Sequence, residues 1–213
     1  MTPDEFNARH PVQWDAIWQT LAGRQGSSPL RDALIARYAE PHRHYHTLQH
    51  LDACLRHLPP MLCLATHPDE IACALWFHDA IYEIGASDNE WRSAEWAREA
   101  LLAAGAAQEV AQRVFALVMA TRHDAEPQSG DQEILLDVDL GILGTRPAVF
   151  DAYERQIRAE YASVPEPQFR ANRRRILQGF LARKRIYHTT LCFERYEAPA
   201  RANLARSIAA LAD

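Results

Sequence analysis

Proline punctuates this chain at the places where helices can begin. Pro29, Pro68, Pro147 and Pro167 each open a stretch whose apolar residues recur at helical spacing, and proline is tolerated there because a first-turn N–H has no intrahelical partner anyway. Thr2-Pro3-Asp4-Glu5 carries the signal in fuller form, with a capping hydroxyl, a first-turn proline and an acid three residues after the cap. It leads one helical stretch through Phe6, Trp14, Ile17, Trp18 and Leu21. Residues 23–28 read as a loop, and a second helix runs from Ser28-Pro29 through Tyr38 to a stop at Pro41. The same pattern predicts helices over 47–57, 68–82, 89–104, 108–122, 131–143, 147–162, 167–185 and about 197–211. Ser87-Asp88-Asn89-Glu90 reads as a capping box for the fifth of these helices. The only β-like run is short, Tyr187–Phe193. No repeat and no Gly-, Ser- or Pro-rich linker divides the sequence. The expected fold is all-α, a single-domain helical bundle over residues 1–213. Within it, residues of about 40–145 form the core and helices over 147–211 pack on that core.

Composition narrows the partners. A chain of 213 residues can bury a core without disulfide staples. Its formal charge of −5, with Lys184 the only lysine, argues against a grip on a nucleic-acid polymer, which needs a net basic surface. The four cysteines show no C-x-x-C spacing, and three fall in apolar helical stretches where a free thiol behaves as a small hydrophobe. The polar start of the sequence and the shortness of its apolar runs predict no export signal and no membrane span, hence a cytoplasmic protein.

Three stretches carry chemistry. Four of the ten histidines lie between residues 41 and 50, and His46 and His50, four apart, share a face if they lie on one helix. Either could bind a metal. His78 and Asp79 are adjacent in the apolar run Ala72–Tyr82. Neighbouring helical side chains diverge by about 100° and so flank a point beside the helix, and a carboxylate buried there without a counter-charge loses solvation worth several kcal/mol. Asp137 and Asp139 stand in another apolar run, Ile134–Leu143, and at least one should face inward and need a cation or several donors. Two imidazoles and two carboxylates suit a borderline or hard divalent ion, and helices of a bundle can aim them at one point.

The order His, His-Asp, Asp resembles the HD-domain superfamily of metal-dependent phosphohydrolases. The flanking strings resemble one bacterial branch of it: Arg43-His44-Tyr45-His46-Thr47-Leu48-Gln49-His50, Phe77-His78-Asp79-Ala80-Ile81-Tyr82, Asp88-Asn89-Glu90 with Ser93-Ala94, Thr121-Arg122-His123, Asp137-Val138-Asp139-Leu140 and Ala200-Arg201-Ala202-Asn203-Leu204. The similarity runs from about residue 5 to 205. It implies an HD-type helical fold, one divalent metal ion (Mn, Co, Ni, Zn, Mg or Fe) and hydrolysis of a small phosphate ester, a nucleotide or related phosphorylated metabolite. It implies His50, His78, Asp79 and Asp139 as metal ligands. Two-metal members usually place two further histidines before the last aspartate, and here that interval holds only His123, so one metal is expected. Glu83 and Asp137 are the candidates for proton transfer, and Arg43, His46 and His123 for substrate contact. A nucleotide-binding sensor without turnover and, further off, a di-iron oxygenase are the alternatives on the same fold.

Overall fold

The computed structural model describes residues 1–212, with side chains at all of these except 11 and 12. The fold is all-helical, as the sequence predicts, with no strand among the described residues. Contacts divide it into two compact units, Met1–Leu135 and the chain from Leu136 onward.

The first unit begins with α1 (Pro3–Arg9) and α2 (Pro11–Ala22). The capping box at α1 forms as read: the Glu5 N–H donates to Thr2 Oγ1 at 3.2 Å and the Thr2 N–H to Glu5 Oε2 at 2.8 Å. The single helical stretch expected here is two helices, because residue 11 is a proline without an N–H and the chain restarts there. Gly23, with φ of 66°, ends α2 in the left-handed conformation. Next come α3 (Ser28–Tyr38), α4 (Leu48–His57), a 3-10 turn at Pro59–Leu64, α5 (Pro68–Phe77), α6 (Asn89–Ala103), α7 (Gln108–Ala120) and α8 (Gly130–Asp139), which crosses into the second unit.

Every residue of α5 from Glu70 to Phe77 is buried, and the helix packs against α2, α4, α6 and α7. Trp76 meets Trp14 at 4.8 Å and Phe6 at 5.3 Å between ring centroids. Burial of side chains this large contributes about 1.5–3 kcal/mol each, which places the firmest part of the unit directly beneath the His78-Asp79 pair. Gly26 is tied to the same cluster, since a Cβ there would lie 2.1 Å from Trp14 Nε1.

Two expectations for the stretch around α5 and α6 do not hold. α5 ends at Phe77 rather than Tyr82, because groups from elsewhere take the backbone polar atoms that would have continued it. The Tyr38 hydroxyl accepts from the Asp79 N–H at 3.2 Å and Ser93 Oγ from the Ile81 N–H at 2.9 Å, and the Arg43 guanidinium holds the carbonyls of Asp79 (2.6 Å) and Ala80 (3.1 Å) in the resulting turn. The capping box at Ser87–Glu90 does not form. Asp88 caps α6 without a side-chain hydrogen bond, and Asn89 instead bridges back to the Glu83 backbone, accepting from its N–H and donating to its carbonyl.

The second unit holds the end of α8, a 3-10 turn at Leu140–Gly144, α9 (Pro147–Glu160), α10 (Glu166–Ala182) and α11 (Thr190–Ala210). The β-like run Tyr187–Phe193 is not a strand. Its N–H groups are taken by carboxylates instead: Glu197 accepts from Ile186 and Tyr187, and Asp137 from His188 and Thr189. Thr189 then caps α11, which starts seven residues earlier than the predicted 197 and carries Pro199 in its interior. Asn203 Nδ2 fastens α11 to the preceding turn, donating to the carbonyls of Leu143 and Thr145, each at 2.9 Å.

Candidate metal centre

α4 and the turn after α5 bring three of the expected ligands together. Thr47 caps α4, its hydroxyl accepting from the Gln49 N–H at 3.3 Å, and this places His50 in the first turn, facing the core. His46 precedes the cap and is not on the helix, so the pair does not share a helical face as expected. His78 is the C-terminal cap of α5 and Asp79 the residue after it.

His50 Nε2 lies 3.1 Å from His78 Nε2 and 3.5 Å from Asp79 Oδ2, and His78 Nε2 lies 3.0 Å from the same oxygen. A triangle with these edges has a circumradius of about 1.9 Å, so a point just off its plane stands at about 2.0–2.1 Å from all three atoms, the length of a divalent metal bond to imidazole or carboxylate. The proton count points the same way. His78 Nδ1 is 2.8 Å from the Leu75 carbonyl, which can only accept, so Nδ1 carries the hydrogen. In neutral His78 the Nε2 lone pair therefore faces a carboxylate oxygen, an arrangement that either a metal ion or a proton on Nε2 would hold together. Burial by itself would raise the Asp79 pKa, but the charge of His78, His46 and His50 when protonated, with the His78 hydrogen bond, outweighs it and holds the carboxyl well below the ordinary range. The two imidazoles are almost sealed, at 4% and 1% side-chain exposure, while Asp79 keeps 18%. The triangle can hold a metal ion, and its carboxylate edge is open to solvent.

Cys54, one turn along α4 from His50, was not singled out by sequence. Together with His50 and His78 it offers a ligand atom within 4.8 Å of the others. The available signal was its four-residue spacing from a histidine, hidden by the ordinary use of a buried thiol as a small hydrophobe.

Arg43, expected to bind substrate, is a structural clamp in this arrangement. Its side chain is fully buried, and it donates to the carbonyls of Asp79, Ala80 and His46 and to Glu40. The guanidinium also lies over the rings of Tyr38 and Tyr82, at 5.4 and 5.5 Å. Tyr38 supports the same turn, accepting from the Asp79 N–H at 3.2 Å and donating to the Trp76 carbonyl at 3.3 Å. The His46 ring stacks on Tyr82 with centroids 4.1 Å apart and stands edge-on to His50 at 6.1 Å.

Of the remaining candidates, Glu83 and Asp137 have partners of their own. Glu83 is exposed and pairs with Arg92 at 2.8 Å. It lies past the end of α5. His123 stands just past α7 with φ of 55°, its N–H donating to the Ala120 carbonyl. In the second unit, Asp137 is buried and accepts three hydrogen bonds, from the N–H groups of His188 and Thr189 at 2.8 Å and from Thr189 Oγ1 at 2.6 Å. Burial nevertheless pushes its pKa up. Asp139, the last residue of α8, is partly exposed, and its charge helps to raise the pKa of the buried Tyr153.

No protein-family model, curated protein or solved structure matches the chain.

Proposed function

We propose that the protein is a metal-dependent phosphohydrolase of the HD type, acting on a small phosphate ester such as a nucleotide. The observation that carries this reading is the convergence of His50 Nε2, His78 Nε2 and Asp79 Oδ2 within 3.5 Å of one another. His50, His78 and Asp79 hold one divalent ion. When bound, the ion supplies Lewis acidity to a phosphoryl oxygen and to water.

The chain's own residues supply the rest. Arg43 fixes the backbone of residues 79 and 80, so Asp79 does not swing as substrate enters. His46, stacked on Tyr82 beside His50, can offer a ring N–H to a phosphate oxygen. Glu83 is the solvent-facing carboxylate for proton transfer, a role that requires its pair with Arg92 to open. No helix among the described residues is long and apolar enough to cross a membrane, and the reading puts the protein in the cytoplasm with its cysteines reduced.

The test is phosphate release from nucleoside mono-, di- and triphosphates and from sugar phosphates, with Mn, Co, Ni, Zn, Mg or Fe. Metal-dependent release by the wild type, lost in His78→Ala and Asp79→Asn, supports the reading. Metal-dependent nucleotide binding without release would turn it into a sensor.

A further inference from the structure

A cleft of about 410 Å³ lies between the α2–α3 loop and α6 in the first unit, and none of His50, His78 and Asp79 lines it. Its apolar wall comes from Trp18 on α2, Leu30 on α3, and Trp96 and Ala103 on α6. The two indoles are held from behind. Trp18 is 2% exposed and packs on Trp14 at 5.3 Å between ring centroids, and Trp96 meets the buried Phe77 edge-on at 5.8 Å. The volume falls in the range of small-molecule sites, about 300–1,000 Å³, and a wall fixed in advance needs little ordering when a ligand enters.

Two opposite charges share this apolar cleft, Arg24 and Glu99. Every other arginine in residues 1–135 forms an ion pair with a carboxylate. Arg24 has no such partner among the described residues. Glu99 has none either, since the adjacent Arg98 is engaged by Glu95. We propose that the cleft binds a free α-amino acid with a large apolar side chain. Arg24 takes the carboxylate and Glu99 the ammonium through charge-assisted hydrogen bonds, while the side chain covers Trp18 and Trp96. The two charges select a zwitterion, because a simple carboxylate is repelled by Glu99 and a simple amine by Arg24. This inference is independent of the metal-site reading.

Calorimetric titration of the metal-free, full-length protein tests the cleft without the metal centre. L-Phenylalanine and L-leucine are expected to bind at one site per chain. N-acetyl-L-phenylalanine and L-phenylalaninamide, which each lack one charge, should bind at least about tenfold more weakly. Glycine, which has both charges and no apolar side chain, should give no measurable heat. Arg24→Gln and Glu99→Gln, both at exposed positions, should each weaken L-phenylalanine by about tenfold or more with circular dichroism unchanged. Chemical shifts give a reading that depends on no variant: the indole N–H signals of Trp18 and Trp96 should move on addition of L-phenylalanine, and that of Trp91, exposed elsewhere on α6, should stay. Three results would each overturn the proposal. They are no binding of either amino acid at about 10 mM, where millimolar affinity is readily seen, equal affinity for the N-acetylated compound, and binding untouched by both variants.

Discussion

Asp79 and Asp137 look alike in sequence, each an acid embedded in an apolar run, yet their surroundings have opposite meanings. Three donors meet Asp137, two of them backbone N–H groups at the start of α11. Its carboxylate is an anchor, and the fold uses it to end one loop and begin one helix. The Asp79 oxygen faces two imidazole nitrogens, one with its lone pair directed at it by the Leu75 carbonyl. A buried acid surrounded by fixed donors holds structure, whereas a partly exposed acid facing two imidazole nitrogens can share a cation with them.

Variants can break that comparison. The largest effect is expected from His78→Ala, which should lower metal affinity by more than about 100-fold while the protein remains folded, as read by calorimetric titration and circular dichroism. Asp137→Ala should do the reverse. It strands two N–H groups and a hydroxyl, so the stability measured in urea should fall by about 3 kcal/mol. If Asp137→Ala left stability untouched, the anchor reading would be wrong. Arg43→Lys tests the link between the two kinds of role. One ammonium cannot reproduce the fork onto the Asp79 and Ala80 carbonyls, so a loss of about 2 kcal/mol is expected together with weaker metal binding.

The smallest effect concerns pH. Burial of Asp52 raises its pKa, but hydrogen bonds from His10 and Arg56 and the charge of Arg9 more than offset this and hold it below the ordinary value. A depressed acid contributes stability that is fully present above its unfolded pKa and lost as pH falls through the folded one. Melting temperature should therefore drop as pH is lowered below about 4, and Asp52→Asn should flatten that part of the profile.

How much of this could be read from sequence follows from the range of the forces involved. Helix starts depend on local chemistry, and Thr2, Pro29, Pro68 and Pro147 announce them correctly. His78 and Asp79 stand out because polar groups in an apolar run need a reason, whereas His50 was separated from His46 only by the family resemblance. The end of α5 was not legible, since it depends on Tyr38, 39 positions before Phe77, and on Ser93, 16 positions after it. The clamp role of Arg43 was hidden for the same reason, as a guanidinium reads as a phosphate contact until its carbonyl partners are known. The run Tyr187–Phe193 misled because its β-branched and aromatic residues favour strands, while the carboxylates of Asp137 and Glu197 bind its N–H groups and leave no ladder to form.

Metal analysis of the purified chain tests the central claim most directly. After incubation with Mn, Co, Ni, Zn, Mg or Fe and removal of loosely held ions, the wild type should retain about one equivalent and His78→Ala none. A wild type that retains no ion from this set, or a His78→Ala protein that retains as much, would contradict the account.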